Sequence, residues 1–220
     1  MDFQGPTLAD YENVRSLNFA FLRLLQNGSE CGRYLEGLPQ GLGRRLRCLG
    51  HREMQRLAAT PFLLFSFRER DDGFWQMILT DDRTRDLFAL RMKASDDVGR
   101  LVSAGLGFVW QLAHRNPFAA RLLCGASTYW CEQITERTIF HILAVAGHRS
   151  DLLVLRAQHD AEIWQKLLDS GLSNEAETRH AAHISALQSV LTRQPARAAW
   201  SAAACASRSP ALKVADESKH

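Results

Sequence analysis

The long helix-forming stretch in the C-terminal half constrains the fold most. Over residues 98–194, apolar side chains recur at spacings of three and four, the period of one face of an α-helix. Glycine or proline interrupts this pattern at short intervals, as expected at helix ends. The pattern predicts four helices, at 98–115, 117–146, 151–170 and 174–194, the second of them broken near Gly125. Because short connections join them, we expect a mainly α fold containing an antiparallel bundle.

A crowded apolar helix is predicted near the N-terminus. It ends at Asn27-Gly28, a pair able to adopt the positive φ of a helix C-terminus. Its apolar residues are too closely spaced for a one-sided amphipathic helix, so we expect burial on several sides or in a subunit interface. We favour a homodimer interface, made by Phe19, Phe21, Leu22 and Leu25.

Two short helices joined by Gly50 are predicted next, forming a helical hairpin. Pro39 suits the first turn of one helix, and Pro61 ends the other because it disfavours α geometry at the preceding residue. This N-terminal short-helix hairpin unit resembles a helix-turn-helix in outline, although any helical hairpin gives the same pattern.

Positive charge is concentrated on this hairpin. The chain has a net charge of only +3, but residues 43–56 contain five arginines and a single acid, Glu53. A dense basic segment on a nearly neutral body creates a local positive potential. The candidate surface for DNA or a regulatory partner protein consists of Arg44, Arg45, Arg47, Arg52 and Arg56. The alternative is a solvated arginine face that only keeps the hairpin in solution.

Three regions are predicted: an N-terminal helical region at 1–95, a helical bundle at 96–194 and a flexible tail at 195–220. No internal repeat is evident. We expect no membrane-spanning segment and no secretory signal, because no long uncharged apolar window occurs and residues 1–15 lack a basic segment followed by an apolar one. Its five cysteines are irregularly spaced, which favours reduced thiols and a cytoplasmic location over a disulfide framework.

Metal binding has only weak support. Glu177, His180 and His183 have the spacing with which bundles present metal ligands, but no second copy of the pattern accompanies them. Cys124 and Cys131 lie seven residues apart without a neighbouring cysteine pair, so we interpret them as core thiols. We expect no metal and no cofactor.

Catalysis has little support either. Ser127 is not in the glycine-flanked strand-turn-helix context of a hydrolase, and no glycine-rich phosphate loop follows a strand. We therefore expect a protein that is not an enzyme. A ligand-sensing bundle, with Trp110, Tyr129 and Trp130 around an apolar pocket, remains a third possibility.

Residues 18–68 resemble the FlhD family of flagellar transcriptional regulators. The ordered set of matching positions comprises Asn18-Phe19, Tyr34, Gly37, Leu42, Leu46, Leu49, Met54, Arg56-Leu57-Ala58, Thr60, Leu63 and Phe67-Arg68. The match covers about a quarter of the chain. Phe65 stands where the family has a cysteine, and typical members are far shorter.

The resemblance implies a mainly helical regulator that dimerises through its N-terminal helices and acts on DNA with a partner protein, FlhC. The resemblance also implies that the 19–25 segment is a dimer surface and that the arginine hairpin faces DNA or the partner. An interaction adaptor or scaffold without a nucleic-acid role is the alternative. Phosphate contacts by the arginines would supply affinity but no sequence choice, which favours a co-regulator over an autonomous DNA binder.

Overall fold

The computed structural model describes residues 5–27, 31–80, 97–147 and 149–192, and its fold is mainly α, as predicted. In chain order the elements are helices α1 (Leu8–Asn27), α2 (Cys31–Leu35), α3 (Gln40–Arg47) and α4 (His51–Ala58), strand β1 (Phe65–Ser66), helices α5 (Asp72–Leu79), α6 (Asp97–Arg115), α7 (Pro117–Cys124), α8 (Thr128–Thr135) and α9 (Ile139–Ala146), a 3₁₀ turn (Ser150–Leu152), strand β2 (Val154–Leu155), and helices α10 (Ala161–Asp169) and α11 (Ala176–Thr192). None of the helices within these ranges has the length and apolar character needed to cross a bilayer.

Helix α1 begins with a reciprocal cap and is joined there to α6. The backbone N–H of Thr7 donates to Asp10 Oδ2 at 2.8 Å, and the N–H of Asp10 donates to Thr7 Oγ1 at 3.4 Å. Such paired bonds satisfy N–H groups that a helix start leaves without partners. The carboxylate of Asp10 also forms an ion pair with Arg115 at the end of α6. The cap therefore fixes α1 against the second half of the chain.

The four residues predicted to form the dimer surface belong mainly to the core. Phe21, Leu22 and Leu25 are fully buried among other side chains of the same chain, and only Phe19 is half exposed. The prediction is corrected for these three, because α1 packs against α3 and α4 on one side and against α6 on another. The crowded apolar pattern reflects burial within one chain.

Asn18 is a fully buried polar residue that attaches the segment after α4 to α1. Its side-chain amide donates to the carbonyl oxygens of Phe62 at 2.9 Å and Ala58 at 3.3 Å, and its Oδ1 accepts from the N–H of Leu64 at 2.8 Å. The amide thus pairs backbone groups of an irregular segment that has few partners of its own.

The helix predicted at 98–115 is confirmed as α6, and the one predicted at 174–194 is α11, but the two between them are divided or shortened. The helix expected at 117–146 is three helices, because Gly125 ends α7 with a φ of 70°, and Ser127 and Thr138 then cap α8 and α9. The helix expected at 151–170 is a 3₁₀ turn, strand β2 and the shorter helix α10. Strand β2 pairs antiparallel with β1, opposing Phe65 to Leu155 and Ser66 to Val154.

One hydrophobic core extends through the described parts of both predicted helical regions. The predicted boundary at residue 95 and the predicted tail at 195–220 lie outside the described residues. Within the described ranges the N-terminal hairpin and the helices after residue 97 thus form one packed unit.

The order and spacing of the elements recur along the described chain, which the sequence analysis did not anticipate. Helix α1 begins at Leu8 and α6 at Asp97, 89 residues later. Each element after α1 then has its counterpart in the same order: α2 and α7, α3 and α8, α4 and α9, β1 and β2, α5 and α10. We call residues 8–79 the first repeat and residues 97–169 the second repeat.

Candidate functional site

Buried leucines orient the arginine hairpin formed by α3 and α4. Leu46 in α3 and Leu57 in α4 are fully buried, so the opposite sides of both helices face solvent. Between the helices, the N–H of Gly50 donates to the carboxylate of Glu53 at 2.7 Å, which fixes the start of α4. The carboxylate of Glu53, the single acid of the segment, is therefore hydrogen-bonded to the backbone.

Three of the five candidate arginines lie on the solvent side of this hairpin. Arg44, Arg47 and Arg52 are exposed. Within the described part of the chain, their guanidinium groups make no ion pair and no hydrogen bond. Arg44 and Arg47 are three residues apart in α3 and so lie on the same side of it. Positive charge on this side is not neutralised by a described carboxylate.

The other two candidate arginines make contacts inside the molecule. Arg45 pairs with Asp169 at 2.7 Å and donates to the Leu168 carbonyl at 3.0 Å, and Arg56 donates to the Leu172 carbonyl at 2.9 Å. Both side chains thus connect the hairpin to the end of α10. We correct their assignment: Arg45 connects the first repeat to the second, and Arg56 connects it to the turn that follows the second repeat.

Arg23 joins the exposed arginines, although the sequence analysis did not single it out. Its neighbours on the same side of α1 touch the hairpin turn: the Phe19 ring contacts His51 at 5.5 Å, and Gln26 donates to the Leu49 carbonyl at 2.7 Å. Arg23 lies between these two positions and is exposed. The basic surface, as we define it, consists of Arg23, Arg44, Arg47 and Arg52.

A second charged cluster is buried and has a structural role. Arg156 and Glu69 pair at 2.7 Å, and both are almost inaccessible. The Arg156 guanidinium also donates to backbone carbonyls, among them that of Leu63 at 2.6 Å and that of Cys124. Glu69 accepts in turn from the N–H of Phe67 at 2.7 Å. This network satisfies backbone groups around β1 and β2 and leaves no charge facing solvent.

The cysteines and histidines weighed as metal ligands are dispersed. Cys124 and Cys131 lie in separate helices and are buried; burial raises the pKa of Cys131 to about 11 and that of Cys124 further above its usual value. In α11, His183 is buried and His180 is exposed. Among the described residues, no group of histidine, cysteine and carboxylate side chains has the arrangement of a metal site.

The aromatic residues suggested for a ligand pocket are not brought together. Trp130 is fully buried with its ring against Trp75 at 5.2 Å, whereas Tyr129 is half exposed on the outside of α8. Trp110 packs on His114 in α6 instead. A cavity of about 580 Å³ lies elsewhere, beside the β1–β2 pair, lined by charged and polar side chains as well as by Ile163 and Val190.

Comparison of the chain with protein-family models, with curated proteins and with solved structures finds no match. The resemblance of residues 18–68 to the FlhD family therefore stays a prediction. The exposed basic surface is the arrangement on which a functional proposal can be based.

Proposed function

We propose that this protein is a transcriptional co-regulator that binds the phosphate backbone of DNA through its basic surface and acts together with a partner protein. The observation that carries the proposal is the exposure of Arg44, Arg47 and Arg52 without a described acidic partner. Guanidinium groups that remain unpaired can bind phosphate oxygens with charge-assisted hydrogen bonds.

The geometry favours a phosphate contact over base reading. The three arginines and Arg23 are placed around the hairpin turn, on two short helices and on α1, and not along one helix that could lie in a groove. Phosphate contacts position a protein on the duplex and carry no sequence information. Sequence choice is therefore assigned to the partner, in keeping with the FlhD resemblance.

The second candidate function is an interaction adaptor in which the basic surface binds an acidic protein. The ion pair between Arg45 and Asp169 shows that arginines of this hairpin bind a carboxylate at 2.7 Å when one is in reach. DNA is the preferred ligand because the arginines are spread over several turns of three helices, which suits an extended polyanion.

Fluorescence anisotropy with a labelled duplex tests the proposal directly. We expect binding by the full chain at low salt that weakens as salt is added, because arginine contacts release condensed counterions. Cys48 is exposed next to Arg47, so DNA should also slow its alkylation, which mass spectrometry resolves residue by residue. If the chain binds no duplex at low salt, the DNA-binding proposal is wrong and the adaptor function is favoured.

A further inference from the structure

The two repeats share local details that a general helical fold does not require. Asp71 caps α5 by accepting from the N–H of Phe74, and Asp160 caps α10 by accepting from the N–H of Ile163. Both acceptor–donor pairs have the same spacing, and the two aspartates are 89 residues apart, the separation of α1 and α6.

A strained backbone position recurs at the same separation. Arg68 has a φ of 55° and Ala157 a φ of 50°, and they are the only positive values outside glycine among the described residues. Residues with a side chain rarely adopt this conformation. Each of the two follows a strand, β1 or β2, and precedes the aspartate that caps the next helix.

The contacts between the repeats are reciprocal. In the strand pair, Phe65 opposes Leu155 and Ser66 opposes Val154. The counterpart of Phe65, 89 positions later, is Val154, and that of Ser66 is Leu155. Replacing both members of one pair by their counterparts therefore gives the other pair. Helices α1 and α6, which are also counterparts, pack on each other. A two-fold relationship has this property: if two residues are in contact, the counterparts of these two residues in the other repeat are in contact as well.

The flanking helices of each repeat pack on helices of the other repeat. Helix α5 of the first repeat reaches α8 of the second through Trp75 and Trp130, whose rings lie 5.2 Å apart. Helix α10 of the second repeat reaches α3 of the first, where Arg45 bonds to Asp169 and to the Leu168 carbonyl. Each repeat therefore places its last helix on the hairpin of the other.

We propose that the chain is a tandem duplication whose two repeats form, within one chain, the two-fold pair that a single repeat would form between two copies. One chain is then the complete unit, and the homodimer predicted from the sequence is not required. This inference rests on the packing of the repeats and does not depend on DNA binding.

The duplication also explains why the unit has one basic surface instead of two. In the hairpins the separation is 88 residues instead of 89, because α3 and α8 begin at Gln40 and Thr128, and α4 and α9 at His51 and Ile139. Matching the helices by these first residues places Glu132 at the position of Arg44 and Phe140 at the position of Arg52. Phe140 is 64% exposed, so the second hairpin presents an apolar side chain where the first presents a cation. The two faces of the pair have diverged, and only the first is suited to a polyanion.

Sedimentation equilibrium of the full chain at several concentrations tests the inference without any ligand. We expect the mass of one chain, 24.8 kDa, at every concentration. A stable species of twice that mass would overturn the inference that one chain completes the pair.

Cleavage between the repeats provides the second test. A protease site is inserted between residues 80 and 97, and the purified full chain is cut. The two fragments should stay together, sediment at the mass of the intact chain and unfold in one transition. The matched control carries the site between residues 193 and 220. Separation of the fragments after cleavage between the repeats would overturn the proposed two-fold pair, whatever the result with DNA.

Discussion

Trp75 and Trp164 lie 89 residues apart in the chain and make the same hydrogen bond. The indole N–H of Trp75 donates to the carbonyl of Phe67 at 3.0 Å, and that of Trp164 donates to the carbonyl of Arg156 at 2.9 Å. Each acceptor lies eight residues before its tryptophan, and both rings are fully buried. In each repeat this bond closes the loop between the strand and the following helix.

Replacing either tryptophan by phenylalanine should therefore have a similar effect. Trp75→Phe and Trp164→Phe each remove one buried hydrogen bond and some packing, so each should lower the free energy of unfolding by roughly 1–3 kcal/mol. Urea denaturation measures the change. Trp110→Phe is the control, because this indole is only partly buried and donates to the Arg137 carbonyl near the surface. A large loss in one variant and none in the other would contradict equivalent roles.

Gly125 should not tolerate a side chain. Its φ is 70°, and a Cβ there would lie 2.2 Å from Nη1 of the buried Arg156. Gly125→Ala should lower the free energy of unfolding by at least about 2 kcal/mol, because it adds backbone strain and disturbs a buried ion pair. Gly107→Ala is the control: it lies inside α6 with nothing near its Cβ position, and alanine favours a helix. Equal stability of the two variants would contradict the packing described at Gly125.

Stability should fall at acidic pH through His183. Burial lowers the pKa of this histidine from 6.5 to about 4, with Arg179 and His180 nearby adding to the effect. Because the fold favours the neutral ring, its contribution is present in full above pH 6.5 and is lost progressively as the pH falls towards 4. The loss amounts to at most roughly 3 kcal/mol.

Urea denaturation of His183→Gln at neutral and acidic pH measures this contribution. The variant should lose less stability than the original chain over that range, because glutamine does not titrate. His180→Gln, which changes an exposed ring on the same helix, should lose nearly as much stability as the original chain, because burial is the main cause of the lowered His183 pKa and His180 adds only a smaller part. An unchanged pH dependence in His183→Gln would contradict the assignment.

The helical spacing of apolar residues predicted the class of the fold, and the helix-ending glycine, proline and asparagine residues predicted several helix ends. The positions of Asn27, Pro39, Gly50 and Gly125 mark helix boundaries in the structure as well. Periodicity could not distinguish a buried helix from a subunit interface, because both are apolar on several sides. Phe21 and Leu25 were therefore assigned to the wrong environment.

The repeat was missed because the two halves retain few identities. The clearest sequence signal is the pair of segments that begin α5 and α10, in which an aspartate precedes Trp-Gln by four residues and a leucine follows the tryptophan by four. Asp71 and Asp160 mark these two segments. Elsewhere the equivalence lies in backbone conformation and packing, as at Arg68 and Ala157, whose side chains have nothing in common.

The arginine surface was only partly predictable. The sequence identified a dense basic segment, but the contacts of Arg45 and Arg56 depend on where α10 packs, which local sequence does not specify. Arg23 was missed for the converse reason. It is distant in sequence from the hairpin and lies beside it only because α1 packs alongside α4.

We expect the exposed arginines of the first repeat to bind DNA phosphates, and the salt dependence of duplex binding measures these contacts. Arg44, Arg47 and Arg52 are replaced together by alanine. A matched control replaces Arg100, Arg121 and Arg137, which are equally charged and exposed but lie in the second repeat. Anisotropy titrations at several salt concentrations then give the slope of log K against log salt for both variants and the original chain.

We expect the first variant to bind more weakly and its slope to become shallower by up to about 0.9 for each phosphate contact removed, while the control keeps the slope of the original chain. An equal loss in both variants would show that binding follows net charge alone. That result, or an unchanged slope in the first variant, would contradict DNA binding through Arg44, Arg47 and Arg52.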